Sequence, residues 1–291
     1  MKKIIDELIY ERAIWLKSKN VFLFPIKKLI YYILKYKKTI KIASNLKNLN
    51  SHEMLSKLGE MLAKKISISG INNIPITGSA IIVCNHPTGI ADGIMIYHVL
   101  KSKRKDVFFF ANADALKVFP QLSDVIAPVE WKVEKRSYNS SRETLKYAKK
   151  AFLNNKLAII FPSGRLSKRI GFKLYERNWM HSSTFLAKKY NLPIIPINIK
   201  ARNSVLFYVC DFIHRSLRDI TLFYEVLNKY NFEYKIQVGQ QVMPKDLPPD
   251  KIESTQFLKQ KVLNLNSTTN IYKYPNLYFY WFFSKLFFHK S

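Results

Sequence analysis

The sequence predicts an α/β fold, a sheet of short buried strands flanked by helices, and three observations lead there. Apolar runs at residues 80–84, 107–112 and 157–161 recur along the middle of the chain. Each is short for a buried helix and rich in the branched and aromatic residues that strands favour. Segments with apolar residues at helical spacing separate these runs, the alternation that builds a helix-covered sheet. The 291 residues, 48% of them hydrophobic, suit one large domain with appendages better than two equal domains.

Residues 1–65 read as a helical, membrane-interfacial region. Between 17 and 47 there are nine Lys and no Asp or Glu, interleaved with Val21, Phe22, Leu23, Phe24, Ile26, Leu29, Ile30 and Ile33. Lys27, Lys28 and Lys35 interrupt the apolar runs, so no stretch reaches the roughly 18–20 residues needed to span a bilayer. Two readings stand: helices lying in a lipid interface with lysines toward anionic headgroups, or an amphipathic helical pair packed on the domain. Residues 51–65 predict another helix, whose Met54, Leu55, Leu58, Met61 and Leu62 belong to the core by their spacing.

The α/β domain is assigned to residues 66–250. A short strand and turn from 66 to 75 precede the buried strand at 80–84, which runs into Asn85-His86-Pro87-Thr88-Gly89-Ile90-Ala91-Asp92-Gly93 and then a helix from 94 to 100. A His and an Asp therefore sit on a strand-to-helix connection, where open α/β sheets bind ligands. A neutral imidazole at His86 can take a proton from a hydroxyl, and a carboxylate at Asp92 can fix its tautomer and stabilise the imidazolium. The alternative is that Asp92 caps a helix beginning at Gly93 and His86 is an ordinary loop residue. Cys84 shares a strand face with His86, but its place inside an apolar run marks it as a buried structural thiol.

Asn85 and His86 with Asp92 and Gly93, in this strand-loop-helix setting, resemble the first motif of the glycerolipid acyltransferase superfamily, the phosphatidic-acid-forming and lysophospholipid acyltransferases. The commonest form there has four residues between His and Asp, and this chain has five. The five-residue form resembles a bacterial branch termed haemolysin-like, which includes acyltransferases of ornithine and glycine lipid synthesis. The resemblance implies a glycerol-3-phosphate acyltransferase-like mixed sheet flanked by helices.

Further along, 107–112 is the next strand, 114–119 a short helix and 125–131 another strand. Arg136 follows with Lys132 and Lys135; in the wider family this region supplies an Arg to the acceptor phosphate, so Arg136 is a candidate, the alternative being a solvated charge. Residues 140–153 predict a helix before the strand at 157–161. That strand enters Phe161-Pro162-Ser163-Gly164-Arg165-Leu166-Ser167-Lys168-Arg169, where a Gly after a strand lets backbone N–H groups approach an anion and Arg165, Lys168 and Arg169 bring charge. It resembles the superfamily's third motif, with Ser163 where the common form has Glu and the haemolysin-like branch a small residue. Asn85, Gly93, Arg136, Ser163, Gly164, Arg165, Lys168 and Arg169 are thus the substrate-binding candidates. The Pro-bracketed strand after Leu192 resembles the fourth motif, and within 213–242 the residues Glu225, Leu227, Asn228 and Lys229 match a recurrent stretch of the haemolysin-like branch. Residues 251–291 comprise a last helix and a tail with ten aromatic residues, three Lys and no acid from 271 onward, suited to a headgroup boundary or to packing back on the domain.

Formal charge is +28, from 48 basic and 20 acidic residues, which favours anionic partners: a membrane surface, an acidic carrier protein or phosphate-bearing substrates. Only ten of the basic residues are Arg, a Lys bias that an AT-rich genome also produces. Nucleic acid is not expected as a partner, because no zinc-ligand spacing, helix-turn-helix signal or aromatic RNA-binding motif accompanies the charge. Two cysteines exclude a disulfide framework, and no secretory signal is visible.

Together these features predict an enzyme in which His86, oriented by Asp92, deprotonates the hydroxyl of a lysophospholipid or lyso-aminolipid. The oxygen then attacks an acyl thioester of acyl carrier protein or coenzyme A, a co-substrate rather than a cofactor. No cofactor or metal is expected, since His86 has no second His or Cys at ligand spacing. The expected location is peripheral, on the cytoplasmic face of the cell membrane. The competing class is a non-catalytic basic protein that binds membrane or nucleic acid.

Overall fold

A computed structural model describes residues 1–130 and 138–265. The chain starts with α1 (Lys2–Arg12), α2 (Phe24–Ile33), α3 (Tyr36–Leu46) and α4 (Ser51–Leu62). The start of α4 is set by Asn50, which accepts from the Glu53 amide while the Glu53 carboxylate accepts from Asn50, a reciprocal capping box. Met54, Leu55, Leu58 and Leu62 are buried as their spacing predicts, with Met61 packed at the edge of the same cluster.

The domain proper runs β1 (Ile66–Ser69), β2 (Ala80–Cys84), α5 (Ile90–Leu100), β3 (Val107–Asn112), α6 (Asp114–Val118), β4 (Ile126–Val129), α7 (Tyr138–Leu153), β5 (Leu157–Ile160), β6 (Lys168–Ile170), β7 (Lys173–Tyr175), α8 (Ser182–Tyr190), β8 (Ile194–Lys200), α9 (Val205–Ile213), α10 (Arg215–Asn228), β9 (Tyr234–Val238) and α11 (Lys251–Asn264). The sheet order is β1-β9-β8-β2-β5-β3-β4; all pairs are parallel except β8 with β9. That antiparallel pair makes the sheet mixed.

Helices cover both faces, which is why the central strands read as unbroken apolar runs. Ile82 and Cys84 face one cluster with α4 and α5, while Ile81 and Val83 face another with α7, α8 and α11. At the end of the sheet where β2 begins, buried Arg104 donates to the carbonyls of Gly78 and Asn155 and to Asp106, tying three connections together.

The N-terminal helices pack on α10 through a third cluster that includes Ile5, Ile9, Leu16, Leu34, Ala43 and Ile220, so the reading as a pair packed on the domain accounts for one face. The other face stays open: Val21, Phe24 and Leu29 are exposed, and Phe22 is 85% exposed. Among the described residues no helix is long and apolar enough to cross a membrane.

Two sequence expectations shift. The helix after the His-Asp stretch begins at Ile90, four residues before the first strongly periodic residue, because its first turn is built by a cap rather than by apolar packing. Lys168 and Arg169, at the end of the basic stretch 161–169, enter the first strand of the β6–β7 hairpin. Arg136 and the tail from 271 lie outside the described residues.

Candidate active site

The site forms where β2 ends. Asn85 extends the β2–β8 pairing by one side-chain rung: its Oδ1 accepts from the Ile199 amide at 2.7 Å and its Nδ2 donates to the Ile199 carbonyl at 2.9 Å. Both ends of the amide are thus spent on backbone, and Asn85 fixes where the chain leaves the sheet. Gly89, at φ 91° and ψ −134°, then turns the chain into α5 through a conformation suited to glycine.

Asp92 stands at the third position of α5 and is fully buried. Its Oδ2 accepts from the Thr88 amide at 2.8 Å, the Gly89 amide at 2.9 Å and His86 Nδ1 at 2.9 Å. Its Oδ1 accepts from the Thr88 hydroxyl. The two readings open from the sequence are therefore simultaneous: one carboxylate closes the helix N-terminus and holds the imidazole. Since a carboxylate only accepts, Nδ1 is assigned the proton, which leaves Nε2 with its lone pair. The His86 side chain retains 19% exposure.

Behind Asp92 lies a second relay. Thr88 gives its one hydroxyl proton to Asp92, so at its 2.6 Å contact with Tyr234 it accepts from the phenol. Burial, reinforced by the Asp92 charge, pushes the Tyr234 phenol well above its ordinary range, which keeps it protonated as that donor. Tyr234 begins β9, so the central loop is referenced to a strand on the far side of β8.

The Phe161–Arg169 stretch clasps the His86 loop directly. The Ser167 amide donates to the His86 carbonyl at 2.8 Å, and the Phe161 ring stacks on the imidazole at 4.3 Å between centroids. Ser163 turns inward and donates to the Arg165 carbonyl at 2.8 Å, and Gly164 takes φ 58° in the turn. Arg165 and Lys168 are exposed. Arg169 donates to the Gly171 carbonyl at 3.0 Å and lies over the Tyr208 ring. Gly93 sits on the α5 face against Phe109, where a β-carbon would make ordinary contact at 3.7 Å. The structure thus pairs His86 with Asp92, holds the stretch carrying Ser163, Gly164 and Arg165 against their loop through Phe161 and Ser167, and places Asn85 and Gly93 in supporting positions.

Glu176, which the sequence reading passed over, is the remaining clasp. Its Oε2 accepts from the His86 amide at 3.2 Å and the Ser167 hydroxyl at 2.6 Å, while Oε1 accepts from Trp179 Nε1 at 3.0 Å. An isolated acid in the basic run from Lys168 to Arg177 was the one available signal. With the amides of His86, Thr88 and Gly89 all donating within the protein, these three N–H groups are not free to receive an oxyanion. The Cys84 thiol is buried, and burial raises it well above the ordinary range, so it stays protonated and unreactive. No group of three or more His, Cys, Asp or Glu among the described residues could hold a metal ion.

A family model described as Acyltransferase matches residues 65–200. The chain is 26% identical over 230 residues to a lyso-glycine lipid O-acyltransferase from Phocaeicola vulgatus, covering 75% of this chain and 80% of that protein. A lyso-glycine lipid O-acyltransferase from Bacteroides thetaiotaomicron is 26% identical over 151 residues, covering 51% of this chain and 53% of that one. Among solved structures, the 1-acyl-sn-glycerophosphate (LPA) acyltransferase PlsC from Thermotoga maritima aligns with a TM-score of 0.47 and 15% identity over 94% of this chain and 100% of that chain.

Proposed function

We propose that this chain, whose residues 65–200 match the Acyltransferase family model, is an acyltransferase that moves a fatty acyl group from a thioester to the hydroxyl of a lyso-aminolipid or lysophospholipid. This reading removes the non-catalytic alternative. The observation that carries the reading is the 2.9 Å contact between His86 Nδ1 and Asp92, with Nε2 left as the basic nitrogen of a partly exposed ring.

In this mechanism Nε2 accepts the acceptor's hydroxyl proton as the oxygen bonds to the thioester carbonyl carbon. The imidazolium is stabilised by Asp92, and the tetrahedral intermediate collapses with cleavage of the C–S bond. The departing thiolate takes the proton back from Nε2, so the enzyme returns to its starting state without a covalent intermediate. Phe161 against the ring and Glu176 on the His86 amide hold the base in place, the positioning that such catalysis depends on.

The names of the relatives favour an acceptor of the lyso-glycine lipid class. The donor is an acyl carrier protein or coenzyme A thioester, and the +28 charge suits either anionic carrier. The exposed apolar face around Phe22, flanked by lysines, supports peripheral attachment to an anionic cytoplasmic membrane face.

The test pairs wild type with His86→Ala, using labelled acyl carrier protein or coenzyme A thioester and a panel of lyso-glycine, lyso-ornithine and lysophosphatidate acceptors. Loss of the base is expected to lower turnover by roughly 100- to 10,000-fold in a folded protein. A folded variant that keeps wild-type turnover overturns His86 as base, and absence of transfer by wild type to every acceptor overturns the acceptor class.

A further inference from the structure

Arg165, Arg215 and Arg218, from other parts of the chain, lie within electrostatic range of Arg177, which is held on the turn that clasps the His86 loop. A β-carbon at Gly89 would meet Leu166 at 3.1 Å and Leu222 at 3.5 Å, so the 165–167 turn and α10 both close on that residue. Arg177, just past β7, donates Nε to the Leu166 carbonyl at 2.7 Å. Arg165 precedes Leu166, and Arg218 lies one helical turn before Leu222 on the same face of α10. Arg215 opens that helix.

Charge does not balance there. Arg218 is paired with Asp211 at 3.1 Å and Asp219 at 2.7 Å, but no carboxylate among the described residues forms an ion pair with Arg165, Arg177 or Arg215. Arg177 is half-buried, and burial together with the charges of Arg165, Arg218 and Arg215 pushes it below the usual arginine range, against the opposing charge of Asp211. Gathering like charges at a half-buried position costs free energy that an incoming oxyanion would recover, and guanidinium is the side chain suited to bidentate capture of a carboxylate or phosphate.

We propose that Arg177, flanked by Arg165 and Arg215, holds the acidic headgroup of the lipid acceptor. The proposal rests on the acyl-transfer reading and deepens it. One turn of backbone links the two sites: the Leu166 carbonyl holds Arg177, and the next residue's amide holds the His86 carbonyl. An acceptor anchored at Arg177 would thus have its headgroup fixed relative to the base, while the acyl chains extend away. Arg165 stood among the sequence candidates; Arg177 carried no motif, and Arg215 lies in the 213–242 run without having been singled out.

The experiment measures binding and turnover separately. Binding uses an N-acyl glycine without a hydroxyl, which cannot be acylated, its neutral glycinamide, a lysophosphatidate, and coenzyme A. Each is titrated into wild type, Arg177→Gln, Arg177→Lys and Arg215→Gln, with thermal melting to confirm folding. Wild type is expected to bind the glycinate or the lysophosphatidate more tightly than the glycinamide. The Gln variants should lose that preference, with Kd for the acidic lipid rising roughly 10- to 100-fold and Arg177→Lys falling between. Comparing the glycinate and lysophosphatidate arms tells carboxylate from phosphate. In turnover, KM for the acidic acceptor should rise with kcat little changed.

Equal losses for charged and neutral lipids in a folded Arg177→Gln overturn the proposal, as does a loss confined to coenzyme A. Charge-dependent lipid binding without turnover on any acceptor would sink the acyl-transfer reading and leave the anion site standing.

Discussion

Glu225→Ala removes one member of the most deeply buried ion pair in the described structure. Lys229 is 0% exposed and Glu225 1%. The Lys229 ammonium donates to Glu225, to Asn203 Oδ1 at 2.6 Å and to the Arg202 carbonyl at 3.3 Å. Glu225 also accepts from the amide of Ser204 at 2.9 Å and from its hydroxyl, and Ser204 caps α9. Losing the carboxylate leaves a buried cation without its counter-charge, which costs about 3–5 kcal/mol. It also orphans a buried donor, at about 1–3 kcal/mol. The two share partners and do not add, so the expected loss is about 4 kcal/mol out of a total of roughly 5–15.

The assay is urea unfolding at several pH values, with wild type and variant compared at each. Burial lowers the pKa of Lys229 and Glu225 opposes that lowering. Between the lowered native value and the ordinary lysine range, the unfolded chain binds more protons than the native one, so stability rises with pH. Without Glu225 the lowering deepens and the window widens downward. The deficit of the variant should therefore be largest at neutral pH and narrow toward roughly pH 10. A deficit below about 1 kcal/mol, or one that does not change with pH, would refute the assignment of Lys229 as a charge held in place by Glu225.

Two further expectations concern the thiol and the exposed face. Cys84→Ala should remain active and be destabilised modestly, and native protein should resist alkylation at Cys84 until unfolded; rapid labelling with loss of activity would reassign it as a reactive group. Replacing both Val21 and Phe22 by Ser should weaken sedimentation with anionic vesicles while leaving the melting temperature nearly unchanged, since neither side chain is buried. Unchanged vesicle binding would remove this face as the attachment surface.

What could be read from the chain follows from how the information is carried. β2 and β3 were legible to the residue because strands covered on both faces need apolar side chains at every position, a purely local pattern. The pairing of His86 with Asp92 was legible for the same reason: only five residues separate them, and one short loop brings them together. The start of α5 was not, because a helix turn built by a buried carboxylate shows no apolar period. The β6–β7 hairpin is short and polar, so its residues carried no strand signal.

The sequence by itself determined the α/β class, the strands of the main sheet other than β9, and the proximity of His86 to Asp92. Only the tertiary structure decided what surrounds that pair. Glu176 reaches the His86 amide across 90 residues, Tyr234 reaches Thr88 across 146, and Arg177 feels the charges of Arg215 and Arg218 because α10 folds back over Gly89. Side chains of these types are common on any surface. Their roles arise when packing removes water and leaves each donor and charge with one available partner, a choice made by the whole fold.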